Sequence, residues 1–112
     1  IVWRIKSSDN YFNRYKQLDK NTYKELFKIV NQILWEDWDP IGINDNPQIH
    51  DEYSSYAPQI IKLLIDNKDS KQISKLLAQI SNIDLGLGPI PNEAYLGIAQ
   101  KIKSKTQTIT NK

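Results

Sequence analysis

Between Tyr23 and Leu34 the apolar residues return every third or fourth position, as Tyr23, Leu26, Phe27, Val30, Ile33 and Leu34, while Lys24, Lys28 and Asn31 fall on other faces. That period predicts an amphipathic helix running to about Trp35. Asn21 or Thr22 is placed to cap its start, with Glu25 following at capping-box distance. Pro40 and Gly42 punctuate what comes next, and Asp39, because it precedes proline, is pushed out of helical geometry. Residues 36–50 therefore read as an ordered loop, with Ile41 and Ile43 tucked inward on either side of Gly42.

The pattern resumes with Tyr53, Tyr56, Ile60, Leu63 and Leu64, which predicts a second helix from about Pro47 or Asp51 to about Asn67. Pro58 lies inside this stretch and calls for a kink, a first-turn position or a break into two helices. Asp69 or Ser70 caps a third helix with the stripe Ile73, Leu76, Leu77, Ile80 and Ile83, ended by Gly86 or Gly88. After the Gly/Pro connection Leu85–Pro91, Asn92 caps a last helix carrying Tyr95, Leu96, Ile98, Ala99 and Ile102. Ser104 to Lys112 is polar and aperiodic, which predicts a frayed tail. At the other end, Ile1–Ile5 reads as a short strand or arm, and Tyr11, Phe12, Tyr15 and Leu18 have the spacing of a short amphipathic element. The expected fold is an all-α bundle of four to five short helices. It forms one domain over residues 1–112, with 1–20 as an arm or short extra element.

Composition narrows the function classes. The chain has 112 residues, 39% hydrophobic and 25% charged, in the range of a single globular domain. It contains no cysteine, which excludes disulfides, thiolate metal sites and cysteine nucleophiles. No apolar run is long enough to span a bilayer and no signal peptide opens the sequence, so a cytoplasmic location is expected. The net charge of +2 conceals a partition: residues 1–35 carry +4, residues 36–56 carry −6 and residues 57–112 carry +4. All six charged residues of the middle segment are acids, and Trp35, Trp38, Tyr53 and Tyr56 are interleaved with them.

The blocks Trp38-Asp39-Pro40-Ile41-Gly42-Ile43 and Asp51-Glu52-Tyr53-Ser54-Ser55-Tyr56, followed by Gly86-Leu87, resemble the YugE-like (DUF1871) family of small bacterial helical proteins. The resemblance covers roughly residues 22–103. It implies a small helical fold without a defined chemistry. Some related short proteins look like immunity proteins of polymorphic, contact-dependent toxin systems, so the resemblance also implies a cognate toxin as partner.

Read from the residues themselves, Asp39-Pro40-Ile41-Gly42 is first a folding device, a proline-fixed turn with glycine where φ turns positive. The other acids form either a solvated face or a binding face. In the binding version, carboxylates steer a basic partner and aromatics anchor it. The residues assigned to that face are Glu36, Asp37, Trp38, Asp39, Asp45, Asp51, Glu52, Tyr53 and Tyr56. Asp37, Asp39 and Gly42 match three positions of a calcium loop, but Ile41 and Gln48 stand where further ligands are required. His50 has no histidine or cysteine companion and reads as a surface or capping residue. Carboxylate pairs such as Asp37 and Asp51 are not by themselves a hydrolase, and neither a phosphate loop nor a nucleophile elbow is present. Aromatics near Arg4, Lys6, Arg14 and Lys16 read as core packing rather than a nucleic-acid platform. No catalytic residue, cofactor or metal is assigned. The expected protein is a monomer when free that binds neither nucleic acid nor membrane. Its expected role is to neutralise a toxin domain, the alternative being a non-enzymatic helical adaptor or regulatory module.

Overall fold

The computed structural model describes residues 20–110; the expectations for Ile1–Ile5 and for Tyr11–Leu18 lie outside that range. The described residues form an all-α bundle of four helices: α1 (Lys20–Ile33), α2 (Ala57–Ile65), α3 (Ser70–Gln79) and α4 (Leu96–Thr110). Helices α2 and α4 lie at the centre, each packing on the other three elements of the bundle. The position of α2 explains its composition. Ala57, Ile60, Ile61, Leu64 and Ile65 are all buried, so this helix is apolar on more than one face, as a surrounded helix must be.

The stripe expected on α1 is realised: Leu26, Val30 and Ile33 are buried, and Tyr23 and Phe27 pack against the core from its edge. Asn21 and Thr22, expected as caps, already lie within the helix. Both α1 and α3 end in a π-helical turn, Leu34–Trp38 and Ile80–Asp84. The wider turn rotates the terminal side chains relative to an α-helical stripe. This is why Trp38 is buried while Ile83, expected to be inside, is 76% exposed. Gly86, at φ +65°, ends the second of these turns as expected, and Leu87 N–H returns to the Ser81 carbonyl at 2.8 Å.

Two connections are clamped by side chains. Asp69 caps α3 by accepting from Gln72 N–H at 3.0 Å. Asn82 holds the Leu85–Pro91 segment, accepting from Ile90 N–H at 2.7 Å while donating to the Ile90 carbonyl at 3.0 Å. Gly88 runs against the Asn82 side chain, and a Cβ there would collide with it. The start of α4 is secured from a neighbouring helix rather than by Asn92. Buried Ser74 on α3 donates to the Asn92 carbonyl at 2.6 Å and accepts from Tyr95 N–H at 3.2 Å.

The tail expected to fray from Ser104 is helical as far as it is described, to Thr110. Ala99, Ile102, Thr106 and Ile109 form one buried stripe at helical spacing. Thr106 is the reason the period is hard to read, because a polar residue occupies an apolar position. Its hydroxyl donates back to the Ile102 carbonyl at 2.7 Å, leaving the methyl group to pack. Ile109→Ala is therefore expected to lower the unfolding free energy by about 2 kcal/mol or more in urea denaturation. A change below about 0.5 kcal/mol, typical of exposed positions, would return this segment to a frayed tail.

Candidate interaction surface

The acidic segment is held in shape by one of its own carboxylates. As the π-helical turn closes, Asp39 N–H bonds the Leu34 carbonyl at 2.9 Å and Asp39 adopts a left-handed backbone, φ 31° and ψ 59°. The residue before Pro40 thus leaves right-handed helical space, though for the left-handed region rather than for an extended one. That reversal turns its side chain back over the loop it starts. Asp39 Oδ1 accepts from Ile43 N–H at 2.8 Å and from the Tyr53 hydroxyl at 2.8 Å, and Oδ2 accepts from Asn44 N–H at 3.2 Å. Ile41 N–H completes the ring by reaching the Tyr53 oxygen at 3.4 Å. Gly42 supplies the expected positive φ, +65°, inside the turn. Ile41 and Ile43 separate here: Ile43 packs against the core, whereas Ile41, expected inward, is exposed.

Tyr53 and Trp38 form the base of the loop. Their rings meet edge-on at 5.3 Å, and Trp38 also meets Tyr56 at 6.0 Å and Tyr95 at 6.2 Å in near-perpendicular pairs. Tyr53 is 1% exposed and Trp38 4%. Neither is available to a partner, which corrects the assignment of both to the binding face. Aromatics flanked by acids resemble an interface hot spot in the sequence. Here the π-helical turn swings Trp38 inward, and Tyr53 follows its hydroxyl to Asp39. Tyr56 is half-buried against Trp38, and Asp39 is occupied by the loop's own N–H groups. Burial, reinforced by the Asp39 carboxylate, holds the Tyr53 phenol well above its usual range.

The remaining assigned residues are at the surface. Glu36, Asp37, Asp45, Asp51 and Glu52 are all exposed. Asp37 is partly neutralised by Lys101 of α4, whose Nζ lies at 2.8 Å, and this bond raises the lysine's affinity for its proton. Among the described residues no Lys or Arg ion pair holds the other four. Asp51 sits beside His50, with Nε2 at 3.2 Å, and His50 Nδ1 lies 3.1 Å from the Pro47 carbonyl, consistent with a surface capping role. No three His, Cys, Asp or Glu side chains among the described residues gather around a point where a metal ion would sit.

An open groove of about 500 Å³ borders these acids, walled by α1 on one side and by His50 and Asp51 on the other. On the helix its lining falls in two adjacent rows four residues apart, Phe27–Asn31–Trp35 and Lys28–Gln32–Glu36. Trp35 is half-buried and packs 6.1 Å from Tyr53, so the groove shares its floor with the base of the loop. The participation of Phe27, Asn31 and Gln32 escapes sequence reading because Phe27 belongs to the core stripe and the two amides look like ordinary solvated positions. The four-residue spacing that aligns Phe27 and Asn31 with Trp35, and Gln32 with Glu36, is the available signal.

The chain matches no protein-family model, no curated protein and no solved structure.

Tyr53→Phe deletes a hydrogen bond to a charged acceptor and is expected to lower stability by about 2 kcal/mol in thermal or urea unfolding. The native state favours the neutral phenol, whereas the unfolded phenol ionises near its usual pKa of about 10. Stability from this group is therefore complete below about pH 10 and is lost as pH rises beyond it, by up to about 1.4 kcal/mol per pH unit. Alkaline unfolding of Tyr53→Phe should show a shallower pH dependence than the unaltered chain. An identical slope would exclude the raised Tyr53 phenol that burial and the Asp39 bond together produce.

Proposed function

We propose that this chain is a non-catalytic inhibitor, an immunity protein that binds and neutralises a cognate bacterial toxin domain. The observation that carries the reading is the set of exposed acids, Glu36, Asp45, Asp51 and Glu52, displayed without Lys or Arg ion pairs among the described residues, on the π-helical turn and the following segment braced by Asp39 and Tyr53. Gathering like charges on a fixed surface gives the fold no evident gain. It does create a negative field that accelerates encounter with a basic protein. A nuclease, whose substrate groove must be basic to hold phosphates, is the target class that such a field suits best. The word immunity rests on the resemblance of the Trp38–Ile43 and Asp51–Tyr56 blocks; the choice of face rests on charge and exposure. An inhibitor of this kind acts by occupying a surface, so it requires no nucleophile, general base or metal of its own.

Co-expression of the tagged chain with the product of the neighbouring gene, followed by capture at low and high salt, tests the proposal. The expected result is a stoichiometric basic partner that dissociates as salt increases. Glu36→Lys combined with Asp51→Lys should weaken the complex by about tenfold to a hundredfold while leaving helicity unchanged. A tight complex indifferent to both salt and these substitutions would remove the acidic face from the account. Capture of no partner at either salt concentration would remove the neutralisation reading and favour a helical adaptor.

A further inference from the structure

We infer that the groove beside α1 is the receptor for an arginine side chain of the basic partner, an inference that rests on the inhibitor reading above and specifies its point of attachment. Two independent features of the groove ask for the same kind of group. The first is charge. Glu36 and Asp51 both line it, and neither is ion-paired to Lys or Arg among the described residues. Among the described residues one lysine lines the groove: Lys28, which stands eight positions before Glu36 on the same helical row, about 12 Å along the axis. The groove is thus graded, with its acidic end where α1 and its π-helical turn terminate. The carbonyl end of a helix carries partial negative charge, which favours a cation at the same end.

The second feature is an aromatic surface. Trp35 and Phe27 are half-buried, with part of each side chain left at the surface, and both line the groove. A guanidinium is planar and weakly hydrated, so it stacks on indole while its edge donates to carboxylates; an ammonium offers no such plane. Asn31 lies between Phe27 and Trp35 on the same row and also lines the groove. Gln32 already engages Glu36 Oε1 through Nε2 at 3.2 Å and so holds that carboxylate at the rim. A guanidinium, with five N–H donors on a flat frame, suits both the carboxylates and the ring face. A lysine ammonium would satisfy the charge alone, and a neutral urea group would satisfy the donors without the charge.

The full chain can be titrated with N-acetyl-arginine amide at low salt while its tryptophan indole and asparagine side-chain amide signals are followed by NMR. The corresponding citrulline and lysine amides serve as comparators. The expected result is saturable movement of the Trp35 indole and Asn31 amide signals with arginine. Lysine should bind several-fold more weakly, and citrulline should produce no saturable change. Glu36→Gln with Asp51→Asn, both at exposed positions, should weaken arginine binding about tenfold, whereas Asp45→Asn elsewhere on the acidic segment should leave it unchanged. Citrulline binding as well as arginine would overturn the inference, as would equal loss in Asp45→Asn or signal changes that map away from the groove. The two readings fail separately. A captured, salt-sensitive partner indifferent to Glu36→Gln with Asp51→Asn overturns the groove alone. Saturable arginine binding by a chain that captures no partner supports the groove and overturns neutralisation.

Discussion

The Asp39 carboxylate is the constraint on which the acidic surface depends. It accepts from Ile43 N–H, Asn44 N–H and the Tyr53 hydroxyl, while its own N–H closes the turn that ends α1. These bonds connect three levels of structure. The local turn positions the carboxylate, the carboxylate fixes the loop, and Tyr53 anchors the loop in the aromatic group around Trp38. A charge with three donors is well satisfied even where it is half-covered, because hydrogen bonds to a carboxylate are about twice as strong as neutral ones. The left-handed backbone at a non-glycine residue opposes this arrangement by about 1–2 kcal/mol. The bonds that follow from the reversal more than offset it.

One consequence is a division of labour among six acids that look equivalent in the sequence. Asp39 faces inward and organises the loop. Asp37 is tied to Lys101, 64 positions away, and so fastens the loop's base to α4. A surface pair of this kind contributes little to stability, yet it lowers the charge of that corner. Glu36, Asp45, Asp51 and Glu52 retain their charge at the surface. The aromatic residues divide in the same way: Trp38 and Tyr53 belong to the core, and Trp35 lines the groove. Apolar and acidic groups therefore meet beside α1, whereas Asp45 and Glu52 lie outside that groove.

The fold class was legible because α1, α2 and α3 each carry a clear apolar period, and because Asp69 and Gly86 mark boundaries by familiar chemistry. The end of α4 was not legible, since Thr106 conceals a buried position behind a hydroxyl that bonds within its own helix. The start of α4 was concealed for a different reason. Its cap is Ser74, 18 residues from the Asn92 carbonyl it serves, and no local pattern reports a contact of that range. The candidate face was legible only in part. Charge partition marks the acidic segment, but the direction in which Trp38 and Tyr53 point depends on a π-helical turn, a single-residue change of register that periodicity does not encode. Asp39-Pro40-Ile41-Gly42 was read as a folding device, and the bonds made by Asp39 give that reading its mechanism.

Amide hydrogen exchange at Ile43 and Asn44, compared between the unaltered chain and Asp39→Ala, tests the central claim most directly. The account requires both amides to be protected in the unaltered chain and to exchange as an open loop in Asp39→Ala, while amides of α2 and α4 retain their protection. Equal exchange at Ile43 and Asn44 in the two proteins would contradict it, because the acidic loop would then keep its shape without the carboxylate said to hold it.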